Sequence, residues 1–290
     1  MLSKTRGEML SLEYKRILTV QDISCVGQCS LTVALPILSA CGVETAVLPS
    51  AVLSTHTGGF TGYTFRDLTE DMPAVAAHWK KENLSFDAVY TGYLGNAGQI
   101  AYVKDIFTSL LTENGKRIVD PAMADNGKLY PGFDGAFVQS MKELAFCADI
   151  LLPNLTEAAL LTDMPYKEQY DEGYIDDLLT AMTKNGAKTV LLTGVGYTPD
   201  TTGVAVLENG KKQYYRHVRI PQSCHGTGDV FASAFTGAYM GGRDLYTAAQ
   251  IAADYTVSCI RETVKDPTHW YGVKFEAVLP QLIDRCLRAS

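Results

Sequence analysis

The chain has 290 residues, of which 47% are hydrophobic and 20% charged, and it carries a formal net charge of -7. This length can bury a large core, and the acidic balance argues against a surface for nucleic acid, which is bound mainly through clustered Lys and Arg. Seven scattered cysteines are typical of reduced thiols in a cytosolic protein. No window approaches the roughly 20 apolar residues of a membrane helix. We therefore expect a cytoplasmic protein with neither a membrane nor a nucleic-acid partner.

Short β-branched segments alternate with helix-period segments through the first two thirds of the chain. The pattern predicts strands at 17–21, 45–52, 88–91, 117–120, 150–152 and 189–193. Helices are predicted between them, at 28–41, 71–82, 98–112, 133–145, 155–162 and 170–185. This alternation predicts a mostly parallel central sheet covered by helices on both faces, which is a three-layer α/β/α sandwich.

The pattern changes after residue 203, where two strands flank the hairpin signal Asn209-Gly210. Three helices are predicted to follow, near 227–241, 245–263 and 273–287. No linker, low-complexity tract or internal repeat interrupts the chain. The sequence therefore predicts a single domain over 1–290, with 1–15 as a poorly ordered N-terminal extension.

The most informative motif is Gly226-Thr227-Gly228-Asp229, which opens a helix of small and apolar residues. The glycines leave backbone N–H groups unobstructed, and the helix start adds unpaired donors and its positive dipole end, so the motif predicts an anion site. Asp229 is placed to take a proton from a hydroxyl that attacks the anion, which is kinase chemistry. An ordinary N-cap in a tight turn is the alternative that the motif alone leaves open.

Polar residues and glycines follow each predicted strand, at the edge where sheets of this type bind ligands. They are Asp22, Ser54, His56, Tyr93, Asp120, Asn154, Glu157 and Gly194. Each has a structural alternative, such as a capping pair for Asn154 and Glu157 or a turn at Asp120. Independent caps have no reason to supply carboxylates, an amide and a histidine together, so the set favours one ligand site. No Walker-type or dinucleotide glycine loop is present, and phosphate must be bound in another way.

The ordered motifs resemble the ribokinase-like superfamily and, within it, the pyridoxal kinases, from about Lys15 to the last helix. The matching segments are Ser54-Thr55-His56-Thr57, Thr91-Gly92-Tyr93-Leu94-Gly95, Asp120-Pro121-Ala122-Met123, Pro153-Asn154-Leu155-Thr156-Glu157 and Gly226-Thr227-Gly228-Asp229. The resemblance implies a ribokinase-like fold and ATP-dependent phosphorylation of the 5'-hydroxymethyl group of pyridoxal, pyridoxamine or pyridoxine, a step of vitamin B6 salvage.

The resemblance also implies roles for individual residues. Asp229 would be the base, and the N–H groups of Gly226, Thr227 and Gly228 would stabilise charge on the transferring phosphoryl group. Mg²⁺ would be held by Asp120 and Glu157. ATP would be bound by Asn154, Thr193, Gly194 and Thr227. The vitamer would be bound by Asp22, Ser54, His56 and Tyr93. A homodimer and a monovalent cation such as K⁺ near the anion site are further expectations from the same resemblance.

Two departures from the pyridoxal kinase pattern leave the substrate open. Asp22 stands where pyridoxal kinases carry a small hydroxyl residue, and His225 before Gly226 is typical of hydroxymethylpyrimidine kinases, which usually have Cys in place of Asp229. A hydroxymethylpyrimidine or dual-specificity kinase is therefore one alternative. A catalytically silent B6-binding relative is another, since a fold alone does not imply a function. The presence of Asp229 argues against it.

Overall fold

The computed structural model describes residues 14–288. Its strands are β1 Arg16–Ser24, β2 Glu44–Leu53, β3 Phe65–Asp67, β4 Phe86–Thr91, β5 Leu111–Val119, β6 Ala124–Asp125, β7 Lys128–Leu129, β8 Ile150–Leu151, β9 Thr189–Val195, β10 Thr201–Glu208 and β11 Lys211–Val218. Its helices are α1 Leu31–Ala40, α2 Met72–Lys81, α3 Ala97–Ser109, α4 Gly135–Ala145, α5 Leu155–Thr162, α6 Glu172–Lys184, α7 Thr227–Met240, α8 Leu245–Thr263 and α9 Leu279–Leu287, with a 3₁₀ turn at Glu276–Val278.

Nine strands form one sheet in the order β11-β10-β9-β8-β5-β4-β1-β2-β3. The six strands from β9 to β2 in this order are parallel to their neighbours. Antiparallel strands extend both sides, β3 beside β2 and the β10–β11 hairpin beside β9. The predicted mostly parallel sheet is confirmed. The carboxyl ends of the parallel strands share one edge, and this ligand edge is where a site is expected.

Helices cover both faces of the sheet. The face with Leu18 and Val20 packs against α2 to α6, while the face with Ile17 and Tyr90 packs against α1, α7, α8 and α9. Successive residues of β1 enter different cores because strand side chains alternate between faces. The predicted three-layer α/β/α sandwich is therefore confirmed.

Some predicted boundaries are wrong. The helix predicted over 98–112 ends at Ser109, and β5 already begins at Leu111. The helix predicted over 273–287 begins later, because Pro280 lies in the first turn of α9 and a separate 3₁₀ turn precedes it. The prediction also lacks β3 and the β6–β7 hairpin. That hairpin turns on Asn126 and Gly127, which both have positive φ angles, of 49° and 75°.

Two predictions concern the ends of the chain and its environment. The N-terminal extension predicted over 1–15 lies outside the described residues, apart from its last two positions, which have no regular structure. Between Tyr14 and Arg288 there is no helix long and apolar enough to cross a membrane. The single domain over 1–290 stays a prediction.

Candidate active site

The turn before α7 leaves backbone donors free at the ligand edge. Gly226 has a φ of 81°, and a Cβ at this position would lie 2.3 Å from the carbonyl oxygen of Gln28. Glycine is thus required by both the backbone angle and the close approach of the β1–α1 loop. The first helical hydrogen bond of α7 runs from the N–H of Val230 to the carbonyl oxygen of Gly226, at 3.0 Å. Within the described chain, the N–H groups of residues 227–229 have no hydrogen-bond acceptor. They can receive an anion.

Asp229 lies in the first turn of α7, beside these donors. Burial raises the pKa of its carboxyl to about 7, a hydrogen bond from the backbone N–H of Ser30 lowers that pKa, and the charge of Asp22 raises it. A carboxylate whose pKa lies near neutrality can take a proton during a reaction and release it afterwards. The geometry therefore suits the base that the motif predicted.

Asp22 lies close to Asp229, at the end of β1. Its side chain is buried and accepts a hydrogen bond from Ser24 Oγ at 2.8 Å and another from the hydroxyl of Ser30, and burial raises its pKa. Ser30 thus lies between the two aspartates. Its φ of 53° is unusual for a residue with a side chain. No sequence signal marks Ser30, because the strain arises only when the β1–α1 loop folds against α7.

His56 contributes both ring nitrogens to the loop around it. Its Nδ1 accepts from the N–H of Gly58 at 3.0 Å, and its Nε2 donates to the carbonyl oxygen of Tyr271 at 2.6 Å. This pattern defines a neutral imidazole protonated on Nε2. Its ring lies 5.1 Å, centroid to centroid, from the ring of His225, the residue before Gly226, which places it beside the predicted anion site. A substrate contact through a ring nitrogen would require this bonding to change.

Two further predicted substrate residues differ in their surroundings. Ser54 is exposed, and its hydroxyl accepts from the N–H of Thr64 at 2.9 Å, which closes the loop over 54–64. Tyr93 is half-buried and stacks on Phe133 with ring centroids 5.4 Å apart. Burial, followed by the charge of Asp22, raises the pKa of Tyr93 to about 12. Tyr93 therefore lies near Asp22, whereas the Ser54 hydroxyl serves its own loop.

Asp120 follows β5 directly and is buried among other acids. Burial raises its pKa well above the usual range, and the charges of Glu157 and Asp229 raise it further, while the Ala122 N–H lowers it. The structure thus brings together the predicted base and the two predicted metal ligands. Like charges in a desolvated site are stabilised by a cation, so this cluster favours binding of one.

Asn154 and Glu157 form the capping box that was the structural alternative for this pair. Glu157 accepts from the N–H of Asn154 at 2.9 Å, from the N–H of Met123 at 3.1 Å and from the N–H of Ala124. Asn154 Oδ1 accepts from Glu157 N–H at 2.9 Å, and its Nδ2 donates to Ala124 O at 2.8 Å. Burial still raises the pKa of Glu157 to about 7. Both side chains fix the loop that carries Asp120.

The acids fit a Mg²⁺ site in which the protein supplies only part of the coordination shell. Residues 14–288 contain no cluster of three or more His, Cys, Asp or Glu side chains arranged to enclose a metal. Magnesium commonly uses one or two carboxylates and completes its shell with phosphate oxygens and water. Asp120 has the burial and the negative surroundings for this role. The oxygens of Glu157 already accept three backbone N–H groups.

The predicted ATP side of the site contains a β-bulge. Gly203 of β10 pairs with Val195 and Val204 pairs with Thr193, so Gly194 is the extra residue of β9. Gly194 has a φ of 75°, which favours glycine. Thr193 joins Asn154 in an isolated bridge. The structure therefore brings together Asn154, Thr193 and Gly194.

Tyr130 is a site residue that sequence reasoning missed. Burial raises its pKa, and so do, in order, the charges of Glu157, Asp125, Asp120 and Asp229. Its position follows from the β6–β7 hairpin, which is closed by a bond from Tyr130 N–H to Met123 O at 2.8 Å. The Asn-Gly pair at 126–127 is the sequence signal that could have revealed this hairpin and so brought Tyr130 into consideration.

A mostly parallel sheet, a glycine turn with free N–H groups before a helix and a carboxyl in the first turn of that helix are the features of a kinase of the ribokinase-like class. Residues 35–272 match the model of the phosphomethylpyrimidine kinase family. The chain belongs to this family.

Relatives within and around this family carry two substrate names. A Bacteroides thetaiotaomicron protein assigned to the phosphomethylpyrimidine kinases, in a crystal form with pyridoxal, is 37% identical with a TM-score of 0.87, over 93% of this chain and 96% of that chain. The pyridoxal kinase of Lactobacillus plantarum is 33% identical with a TM-score of 0.86, over 93% and 97%. A hydroxymethylpyrimidine/phosphomethylpyrimidine kinase of Bacillus subtilis is 30% identical over 79% of this chain and 83% of its own length.

Proposed function

We propose that the protein transfers the γ-phosphoryl group of ATP to the 5'-hydroxymethyl group of pyridoxal, pyridoxamine or pyridoxine. The observation that carries this proposal is the position of Asp229, a carboxyl with a pKa of about 7 beside the free N–H groups of 227–229. The pyridoxal kinase of L. plantarum and the pyridoxal in the B. thetaiotaomicron crystal support the choice of vitamer.

In this mechanism Asp229 takes the proton of the 5'-hydroxyl as its oxygen attacks the γ-phosphorus. The bond between that phosphorus and the β–γ bridging oxygen breaks, and ADP leaves with the electron pair. The N–H groups of Gly226, Thr227 and Gly228 stabilise the charge on the transferring phosphoryl oxygens. Asp229 then releases its proton to solvent, which its near-neutral pKa permits.

The acids on the β5 side would serve the phosphates of ATP. Mg²⁺, when bound, neutralises charge on the β- and γ-phosphates. Asp120 would hold it directly, and Glu157 would contribute mainly by fixing the backbone at 123–124, through which Asp120 is positioned. Asn154, Thr193, Gly194 and Thr227 would border ATP. We also propose that a monovalent cation such as K⁺ binds near the anion site, as the resemblance implies.

The vitamer would lie between Tyr93 and Asp22. The ring of Tyr93 has one face on Phe133, and its other face suits a flat heteroaromatic ring. The carboxylate of Asp22 would accept a hydrogen bond from the polar edge of the substrate ring. Ser54 and His56 would shape the wall on the side of the 54–64 loop, with His56 acting through the bonds that hold this loop in place.

A hydroxymethylpyrimidine or dual-specificity kinase is the second candidate. The observation that favours it is the pairing of His225 with His56, whose ring centroids lie 5.1 Å apart beside Asp22. The B. subtilis relative carries this activity in its name. We further propose a cytoplasmic homodimer of single-domain subunits, in line with the resemblance.

A substrate panel tests the proposal. Purified protein with ATP and Mg²⁺ is given pyridoxal, pyridoxamine, pyridoxine or hydroxymethylpyrimidine, and ADP release and the phosphorylated product are measured. We expect a B6 vitamer to give the highest kcat/KM. A clear preference for hydroxymethylpyrimidine would favour the second candidate, and ATP-dependent turnover of none of the four would contradict both.

A further inference from the structure

A pair of tyrosine hydroxyls holds the bulged segment of β9 at the proposed ATP side. The hydroxyl of Tyr170 donates to the carbonyl oxygen of Gly194 at 3.3 Å and accepts from the N–H of Gly196 at 2.9 Å. The hydroxyl of Tyr214 donates to the carbonyl oxygen of Val195 at 2.9 Å. Three consecutive residues of the bulge are thus bonded to phenols.

The bulge explains why tyrosine hydroxyls, and not a neighbouring strand, bond the backbone here. Gly194 is the residue that the β9–β10 ladder skips, so its carbonyl lies outside the regular pairing. Gly194 is exposed, so water could also bond its carbonyl. The Tyr170 hydroxyl instead bonds both this carbonyl and the N–H of Gly196, and so fixes the direction of the backbone between them. The backbone of Gly196 also lies close to β10, because a Cβ at this position would be 2.4 Å from the carbonyl oxygen of Thr201.

The rings behind these hydroxyls form one cluster. Tyr170 contacts Tyr174 with centroids 5.9 Å apart and Tyr197 at 6.4 Å, and Tyr197 contacts Tyr214 at 5.3 Å. The body of Tyr170 packs on the core beneath α6, and it lies just before the N-cap of that helix, Asp171. Tyr170 therefore lies at the end of the segment that joins α5 to α6, directly before the first turn of α6.

We infer that Tyr170 is a positioning residue for the nucleotide, which holds Thr193 and Gly194 where ATP binds. This inference rests on the proposed function, because it takes those two residues as the border of ATP. Tyr170 itself need not touch ATP. Its hydroxyl sets the path of the bulge, whereas the proposed base Asp229 lies in α7, and Asp22 and Tyr93 on the vitamer side lie in β1 and just after β4.

Tyr170→Phe tests the inference because it removes one oxygen and keeps the ring. We expect the KM for ATP and the Kd for ADP to rise by about three- to tenfold, as expected for loss of a hydrogen bond that orders a binding segment. We expect kcat at saturating ATP and the KM for pyridoxal to stay within about twofold of the wild-type values. Calorimetric titration with ADP gives the Kd without requiring turnover.

Tyr174→Phe is the matched control. Tyr174 belongs to the same cluster and is also a donor, but its hydroxyl bonds Pro165 O at 2.8 Å and not the bulge. This variant should lose similar stability in a thermal melt and leave the Kd for ADP unchanged. Tyr214→Phe, which frees the Val195 carbonyl, should weaken ADP binding as Tyr170→Phe does, and it replaces that variant if Tyr170→Phe does not fold.

An unchanged Kd for ADP in both Tyr170→Phe and Tyr214→Phe would overturn the inference, as would an equal rise in Tyr174→Phe. These outcomes differ from failure of the proposed function. If the wild type neither binds ADP nor phosphorylates a vitamer, the proposed function fails first. If the wild type does both and the variants match it, only the role of Tyr170 fails.

Discussion

Asp229 and Glu157 are two acids of one site that differ in how they are bonded. Burial raises the pKa of each to about 7, and each lies in the first turn of a helix at the ligand edge. Glu157 accepts three backbone N–H groups, from Met123, Ala124 and Asn154. Asp229 accepts one, from Ser30.

A raised pKa alone therefore does not identify a catalytic acid or base. A carboxylate whose lone pairs are taken by backbone donors stabilises the loop around it, and moving it would leave several buried donors unpaired. A carboxylate with one such bond, beside free helix N–H groups, can exchange a proton with a ligand. We therefore propose that Asp229 is the base and that Glu157 supports the loop that carries Asp120.

The largest expected effect is that of Asp229→Asn. It keeps the shape of the side chain and removes the base, so kcat for the best vitamer should fall by about 10² to 10⁴. The thermal melt and the Kd for ADP should change little. Asp176→Asn on the exposed part of α6, where Asp176 pairs with Lys212, is the matched control and should retain full activity. A fall in kcat of less than threefold in Asp229→Asn would show that Asp229 is not the base.

The pH dependence of kcat tests whether a buried carboxyl with a pKa near 7 must be ionised for turnover. The base must be ionised to accept a proton, and burial raises its pKa to about 7, so activity should rise with pH through this region. Below it, kcat should fall by about tenfold per pH unit. Steady-state rates from pH 5 to pH 9 in a constant ionic-strength buffer measure this. A rate that stays flat down to pH 5.5 would mean that no group with this pKa is required.

Glu157→Gln should have a smaller effect on the reaction and a clear effect on stability. The amide has one acceptor oxygen where the carboxylate has two, so at least one backbone N–H of 123–124 or 154 loses its partner. We expect about 1 to 3 kcal/mol of lost stability. The Mg²⁺ concentration for half-maximal rate should also rise, because the loop that positions Asp120 is loosened, while the KM for the vitamer stays nearly constant. Urea unfolding and an Mg²⁺ titration test both parts, and unchanged values in both would show that the capping box is dispensable.

Asp22→Ser should give the smallest effect, on selectivity. A carboxylate at the polar edge of the vitamer favours a protonated ring nitrogen or a cationic aminomethyl arm, so the variant should move kcat/KM away from pyridoxamine and towards pyridoxal by about 1 kcal/mol. Asp22 also accepts from Ser24 Oγ at 2.8 Å. A lower melting temperature with an unchanged ratio of the two kcat/KM values would make it a structural residue.

Much of the fold is readable from the sequence because hydrophobic periodicity reports directly on the layers. The strands at 17–21 and 45–52 and the hairpin at Asn209-Gly210 are examples, since each depends on local pattern alone. The error at Leu111 has a physical cause. An apolar residue after a helix continues the helical period, and only pairing of Leu111 with Phe86 of β4 decides that it belongs to a strand.

The site is readable in part. Gly226 to Asp229 and the acids near Asp120 follow from motifs, and the structure brings them together. Ser30 and Tyr130 do not, because their roles depend on loops folding back on the site. The capping box at Asn154 and Glu157 shows the remaining difficulty. The same sequence is compatible with a glutamate that binds a metal and with one that binds the backbone. The hydrogen bonds from the N–H groups of Met123 and Ala124 to Glu157 distinguish the two roles.

A single-turnover experiment separates the roles of Asp229 and Glu157. Wild type, Asp229→Asn and Glu157→Gln, each in excess over γ-³²P-labelled ATP and at saturating Mg²⁺ and pyridoxal, are quenched on the millisecond to second scale, and labelled pyridoxal 5'-phosphate is quantified. We expect phosphoryl transfer to fall by about 10² or more in Asp229→Asn and by less than about tenfold in Glu157→Gln. Equal losses in the two variants, or a larger loss in Glu157→Gln, would contradict these roles.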